Sequence, residues 1–290
     1  MRFDIHNIDR RIIYALVLLA LSIPLINKWS VRPARLKSAE KFYNVVDTLK
    51  PAANGIAFVA FDFGPGMAAE SGTQAEVVVE HLMRKRVPIA FFSQYVLAEP
   101  FLESIPQKVA KRLQKEYPGE IWEYGKDWVN LGYRTGGYLI IQSIPKSENL
   151  VELFKRDIRG NNLADLPAFR NVKTLENIAL LAEFTGLVGV FDTYVQFFQK
   201  KDYRPLFGHG CTSITIPEAY IYLDSGQING LLEGIAGAAW YSVLLNEHYP
   251  TRIPDSSGVL NTGLGVAHLV IIFLIVFGNL TALFRRRATV

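Results

Sequence analysis

The sequence has a single cysteine among its 290 residues, Cys211. An intrachain disulfide framework is therefore excluded, and the fold must be held by an apolar core. Histidine is also scarce, and no spacing typical of a metal cluster connects the five that are present. We therefore expect neither a metal ion nor another cofactor.

Motifs for nucleotide binding are missing as well. The turn Phe63-Gly64-Pro65-Gly66 resembles a glycine-rich phosphate loop, but it lacks both the G-x-G-x-x-G pattern and a Gly-Lys-Ser/Thr ending. Asp62, just before this turn, is better interpreted as a structural residue that satisfies loop amides. Nucleotide binding is not indicated.

A cysteine nucleophile is not indicated either. His209 and Cys211 are two positions apart in what reads as a glycine-rich loop. A histidine that activates a thiol usually comes from a distant part of the sequence, because neighbours in a loop rarely make the directed hydrogen bond.

Charge is absent from residues 259–284, and Arg285-Arg286-Arg287 follow directly. Such a run can cross a hydrocarbon layer ~30 Å thick, and it predicts a membrane-spanning helix. A shorter apolar run covers residues 12–26 after Arg10-Arg11. It is typical of either a retained anchor or a cleaved signal, and the lack of a small-x-small cleavage site favours the anchor.

Lysine and arginine are equally numerous on the two sides of these runs. Since long domains translocate largely regardless of charge, the short termini decide, which predicts a cell-membrane protein with both termini in the cytoplasm and the large domain on the outer face. The net charge of +4 is modest and much of the basic excess lies beside the apolar runs, so we expect a lipid bilayer as partner and no nucleic acid. The predicted organisation is a basic tail 1–11, a helix 12–28, a linker 29–50, a globular domain 51–248, a linker 249–258, a helix 259–284 and a basic tail 285–290.

Apolar runs of strand length alternate with helical patterns in the domain. The runs 56–62, 88–93, 128–133 and 187–191 predict strands, 73–86, 149–159 and 174–185 predict helices, and 138–144 fits either. Strands that are apolar on both faces and separated by helices indicate a parallel sheet. The predicted fold class is α/β, a Rossmann-like three-layer domain with a mostly parallel sheet, flanked by two transmembrane helices.

A ligand site in such a fold lies at the carboxyl ends of the strands. The candidate ligand-binding residues follow these predicted strand ends: Asp62, Gly64, Gly66, Ser93, Gln94, Arg134, Thr135 and Asp192. No catalytic residue is predicted with them.

Glycines recur every four positions at Gly226, Gly230 and Gly234. On a helix they would share one face and permit close approach of another backbone, so they are candidate assembly residues. The polar residues Asn261, Thr262, His268 and Asn279 in the second apolar run also favour helix contacts over lipid, and His268 fits that role better than a proton relay.

Three functions are compatible with these patterns. The first is a non-enzymatic subunit that presents an α/β interaction domain within a homo-oligomer or with other membrane-protein subunits. The second is a membrane-tethered sensor that binds a small ligand in the strand-end crevice. The third is a hydrolase or transferase that uses Asp62, Asp192 or Cys211.

Overall fold

A computed structural model of the chain describes residues 9–50 and 55–288, with side chains up to residue 281. The chain divides into two compact units. One comprises the described parts of Met1–Pro33 and Ser256–Val290, and the other is Ala34–Asp255.

The larger unit contains a six-stranded sheet in which all strands are parallel. Its order is β3-β2-β1-β4-β5-β6, the order of Rossmann-like folds. The strands are β1 Ile56–Asp62, β2 Ile89–Ser93, β3 Trp128–Tyr133, β4 Ile178–Thr185, β5 Leu206–Cys211 and β6 Gly230–Glu233. The predicted α/β class with a parallel sheet is confirmed.

Helices cover both faces of this sheet. Helices α2, α3, α4 and α9 pack on one face, and α5 to α8 pack on the other. Their bounds are α2 Lys37–Thr48, α3 Thr73–Arg84, α4 Glu99–Glu116, α5 Tyr138–Lys146, α6 Leu150–Phe154, α7 Val190–Phe197, α8 Ile216–Asp224 and α9 Gly234–His248.

Two predicted elements around residue 180 are wrong. The segment 174–185, predicted as a helix, begins with a 3₁₀ turn, Leu175–Asn177, and then forms the central strand β4, which pairs with β1 and β5. The segment 187–191, predicted as a strand, is a turn with Gly189 at φ 80° followed by the start of α7. The predicted helix 149–159 is confined to α6, whereas the ambiguous run 138–144 is helical.

The predicted glycine-lined helix over residues 226–239 is also wrong at its start. Gly226 lies in a turn at φ 73°, Gly230 begins β6, and Gly234 begins α9 at φ 52°. A Cβ on Gly230 would collide with the backbone of Phe42. The close approach expected from these glycines therefore occurs, but within the domain, between β6 and α2.

Residues 29–50, expected as a linker, contain α2. Its side chains Phe42 and Val46 are fully buried in the core. The segment 206–211, expected as a glycine-rich loop, is strand β5, and its Gly208 makes room for the ring of Phe42.

A buried ion-pair network ties α3 to the end of the domain. Glu80 on α3 is fully buried and accepts bonds from Arg252 at 2.6 and 2.7 Å and from Arg112 on α4 at 2.5 Å. Arg84 donates to it at 2.8 Å. Burial opposes ionisation, but these guanidinium groups outweigh it and hold the pKa of Glu80 below its usual value.

The smaller unit contains helices α1 Arg10–Ile26 and α10 Ser257–Ala288. Gly263 of α10 approaches Leu21 and Leu25 of α1, while Gly258, earlier on α10, approaches Ser30, beyond the end of α1. The two helices therefore run antiparallel.

Only one helix of the described residues is long and apolar enough to cross a membrane. Its spanning part is Ser257–Thr281, with a mean hydropathy of 2.3 and only 17% of its apolar window buried. This weakly supports membrane association, since a helix buried in a soluble core would be mostly covered. Helix α1 has 17 residues, or ~26 Å, which is short of a ~30 Å bilayer core. The expectation of two spanning helices is thus supported for one of them.

Candidate functional site

The parallel strands place several predicted site residues at one edge of the sheet. Asp62 ends β1 and is fully buried. Its Oδ1 accepts from the hydroxyl of Ser93 at 2.9 Å and from the backbone N–H of Gln94 at 2.8 Å. Its Oδ2 accepts from the hydroxyl of Tyr194 on α7 at 2.7 Å. Asp62 therefore links the end of β1 to the end of β2 and to α7.

These bonds give Asp62 a structural role. Burial raises the pKa of Asp62, and the hydrogen bonds from Tyr194, Gln94 and Ser93 oppose that shift. Both carboxyl oxygens point at donors of the chain itself. A substrate would have to displace one of these donors before it could contact the carboxyl group.

The glycine turn after β1 is covered by a neighbouring loop. A Cβ on Gly64 would lie 3.2 Å from Cβ of Leu97 and 3.2 Å from Cε1 of Tyr95, both in the β2–α4 loop. Gly66 has open space around its Cα. A short 3₁₀ turn, Pro65–Met67, and a single π turn, Ala68–Gly72, then precede α3. The amino end of α3 is therefore not presented directly at the end of β1, as a phosphate site would require.

Loops of the chain contact one another at the crevice between β1 and β4. Gly186, just after β4, leaves no room for a Cβ because Thr212 lies against it and Sδ of Met67 would be 3.0 Å away. Glu70 accepts from both the backbone N–H and the hydroxyl of Ser213, at 2.8 and 2.7 Å. The loops after β1, β4 and β5 thus pack on one another where a Rossmann-like fold usually holds its ligand.

Gln74 forms hydrogen bonds to the backbone of the same region. This buried side chain of α3 donates through Nε2 to the carbonyl oxygens of Cys211, Leu232 and Gly234, at 2.8, 3.1 and 2.8 Å. Cys211 ends β5, Leu232 lies in β6 and Gly234 follows β6. One amide group therefore fixes the ends of two strands to α3.

The side chain of Arg134, another predicted ligand-binding residue, bonds away from Asp62. Arg134 donates to the carbonyl oxygen of Arg156 at 2.9 Å, and its guanidinium carbon is 5.2 Å from the ring centroid of Phe154. Burial lowers the pKa of Arg134. Thr135 is exposed in the turn that follows.

Asp192 was expected at a strand end and lies instead in the first turn of α7. It accepts from the hydroxyl of Tyr222 on α8 at 2.7 Å. Its expected place depended on a strand over 187–191, which the chain does not form. The contribution of α7 to Asp62 is Tyr194, and nothing in the local sequence pattern distinguished that tyrosine.

The glycines predicted for assembly have different surroundings. Gly230 faces α2, and a Cβ on Gly234 would be 2.8 Å from both Oε2 of Glu70 and the hydroxyl of Ser213. Gly226 has open space around it. Since they share no helix face, their spacing gives no support to an assembly role.

A buried acid–imidazole pair was missed by the sequence reasoning. Glu183 on β4 and His209 on β5 are paired in register, with Oε2 and Nδ1 2.6 Å apart. The directional geometry of a hydrogen bond is not met between these two atoms, and neither carboxyl oxygen of Glu183 has a hydrogen-bond partner among the described residues. Nδ1 of His209 also lies 3.3 Å from the backbone carbonyl oxygen of Glu183. Phe191 stacks on the imidazole with ring centroids 3.9 Å apart.

Burial favours the neutral form of both side chains. Burial, together with the nearby charge of Asp62, raises the pKa of Glu183 well above its usual value. Burial lowers the pKa of His209 to about 3. The available signal was a glutamate inside an otherwise apolar run, Ile178–Thr185. Because a helix was predicted there, this glutamate was not considered as a residue of the sheet.

Cys211 is not placed to act as a nucleophile. Its side chain is fully buried, and burial raises the pKa of the thiol to about 12. A buried, protonated thiol is unreactive at neutral pH. The described residues also hold no group of three or more metal-ligating side chains.

An open cleft of about 680 Å³ lies at the opposite, amino edge of the sheet, beside the starts of β2 and β3. Within its lining, Arg86 bonds Asp127 at 3.2 Å and lies over the ring of Trp122. The candidate residues at the carboxyl edge take no part in it.

Comparisons with known proteins add no identification. No protein-family model matches this chain, and comparisons with curated proteins and with solved structures give no significant match.

The buried carboxyl group predicts a pH effect on stability. Because its pKa is raised, folded Glu183 keeps a proton that the unfolded chain releases above about pH 4.3. Its contribution to stability is therefore complete below that pH and is lost as the pH rises towards the folded pKa, by up to ~1.4 kcal/mol per pH unit.

We expect Glu183→Gln to remove this pH-dependent contribution to the free energy of unfolding. Between pH 5 and 8, the free energy of unfolding of the variant minus that of the parent should increase with pH, as measured by urea denaturation at each pH. Glu148→Gln, at an exposed carboxyl, is the control for the loss of one charge. Parallel pH profiles for the parent and Glu183→Gln would show that the carboxyl group is ionised in the folded state.

Proposed function

We propose that this protein is a membrane-anchored, non-enzymatic subunit whose α/β domain binds a protein partner within a membrane complex. The proposed contact surface is the carboxyl edge of the sheet. One observation carries the proposal: the loops at the strand ends contact one another and carry exposed apolar side chains.

The exposed tips come from three loops at the carboxyl edge of the sheet. Leu97 follows β2, Val188 follows β4 and Ile214 follows β5. Val188 is 80% exposed and Ile214 is 87% exposed. The loops with Val188 and Ile214 contact each other through Gly186 and Thr212, while Leu97 lies against Gly64 in the loop after β1, which reaches Gly186 through Met67. Apolar groups clustered at a protein surface commonly mark a site of protein–protein contact.

The two alternative functions find less support. A small-ligand sensor needs space at the strand ends, whereas Tyr95 and Leu97 occupy the space above Gly64. A hydrolase or transferase needs an accessible reactive group, whereas Asp62 is bonded on both oxygens and Cys211 is buried with a raised thiol pKa. A domain that binds a protein partner needs neither space at the strand ends nor an accessible reactive group.

We expect Val188→Glu combined with Ile214→Glu to abolish partner binding. A charge on each tip would have to be buried without a counterion in the interface. The measurement is the set of protein chains that copurify with the detergent-solubilised chain, together with the mass of the complex by light scattering. The folded domain should be unaffected, with an unfolding temperature within a few degrees of the parent.

The matched control is Ile121→Glu with Ile221→Glu, two exposed isoleucines away from the strand-end loops. This control should retain the partner. If the loop-tip variant keeps the complex at the parent's mass, the carboxyl edge is not the contact surface.

The anchor is proposed to be a helical hairpin. Helices α1 and α10 pack antiparallel, which brings residue 10 and residue 288 to the same end of the pair. Both ends carry arginines, at Arg10-Arg11 and Arg285-Arg286-Arg287, and these favour the cytoplasmic side. The α/β domain would then lie on the outer face of the cell membrane.

Labelling in intact cells tests this orientation. A cysteine at Ala288→Cys should be shielded from an impermeant thiol reagent, whereas one at exposed Lys111→Cys on α4 should react. The natural Cys211 gives a low background because it is buried. The reverse pattern would place the domain in the cytoplasm.

A further inference from the structure

Three polar side chains lie along one line of α10 within its charge-free stretch. Asn261, His268 and Asn279 are separated by 7 and 11 positions. At 100° per residue these steps are close to two and three full turns, so the three side chains point in the same direction to within ~20°. Gly265 and Ile272 fall on the same stripe, within ~40° of it.

The opposite face of α10 is already occupied by α1. Thr262 accepts from the backbone N–H of Val31 at 2.8 Å and donates to the carbonyl oxygen of Gly258 at 2.8 Å. Gly263 faces the carbonyl oxygen of Leu21, and Ala267 is buried. These residues are centred ~180° from the stripe. Thr262, grouped with the other polar residues by sequence, thus belongs to the internal contact.

The stripe has no such partner within the described part of the chain. His268 and Asn279 are exposed, Asn261 is half-exposed, and none of the three side chains bonds a described residue. If α10 spans the membrane as proposed above, these groups would face hydrocarbon. Polar side chains in that position are stabilised by hydrogen bonds across a helix–helix contact.

We propose that the stripe Asn261–Gly265–His268–Ile272–Asn279 of α10 is a dimer contact with a second copy of this chain. Two copies in one membrane have the same orientation, so their α10 helices are parallel and equal residues lie at equal depth. Each polar residue then meets its own copy. An amide carries donors and an acceptor, and a neutral imidazole carries one of each, so each can hydrogen-bond to an identical group.

Spacing and size agree with this partner. The three polar levels are ~10 Å and ~16 Å apart along the helix axis, so a single partner helix must carry polar groups at the same intervals to pair at every level. A parallel copy meets this condition by symmetry. Gly265 lies between the first two levels, where the lack of a side chain allows the backbones to approach closely.

Disulfide trapping in native membranes tests the contact. Ile272→Cys, on the stripe, should give a covalent dimer of twice the chain mass under mild oxidation. Phe273→Cys, its exposed neighbour ~100° around the helix, should not. The parent chain, with only buried Cys211, sets the background.

Replacement of the polar groups gives a second readout. In the Ile272→Cys background, His268→Leu and Asn279→Leu should each weaken association, by about three- to thirtyfold. Phe273→Leu, off the stripe, should leave it unchanged. Association is measured from the yield of covalent dimer as the protein is diluted into added lipid.

Each contrary result identifies what is wrong. The dimer would be refuted by equal disulfide trapping at positions 272 and 273. It would also be refuted if position 272 gave no trapping in protein that resists alkaline extraction, and membrane anchoring would still stand. A covalent product of another mass at position 272 would replace the second copy by a different subunit. Protein that alkaline washing removes from the membrane would refute the anchor and the dimer together.

Discussion

The packing of loops over the carboxyl ends of β1, β4 and β5 is the constraint on which this account depends. Met67 and Thr212 lie against Gly186. Glu70 accepts hydrogen bonds from Ser213, and Gln74 donates a hydrogen bond to the end of β5. These contacts lie at the usual ligand position of the fold, and the same loops carry exposed apolar side chains. The proposal of a protein partner rests on this arrangement.

Much of the sheet could be predicted because β1, β2 and β3 are apolar runs bounded by turns. Strand β4 could not, since a central strand buried on both faces has no alternation, and the local spacing of its apolar residues also fits a helix. The pairing with β1 and β5 makes this segment a strand, and the local sequence does not reveal that pairing. The same limit applies to β6, where one of the glycines spaced every four residues, Gly230, accommodates α2.

The candidate site was predicted in part for the same reason. Asp62, Ser93 and Gln94 follow correctly predicted strands, and they do meet at one edge. Asp192 does not, because its strand is a helix. The pair of Glu183 and His209 depends on the register of β4 against β5 and was beyond reach. The fold class and the edge of the sheet at which these residues meet were therefore predictable. The hydrogen-bond partners of these residues were not.

The most direct test of the central claim is native mass spectrometry of the parent protein released from lipid nanodiscs. The account predicts a particle of more than one protein chain, with no small molecule retained by the α/β domain. A single chain that carries a stoichiometric small molecule, and that loses it when Tyr95 or Leu97 is enlarged or removed, would contradict the account and favour the small-ligand sensor.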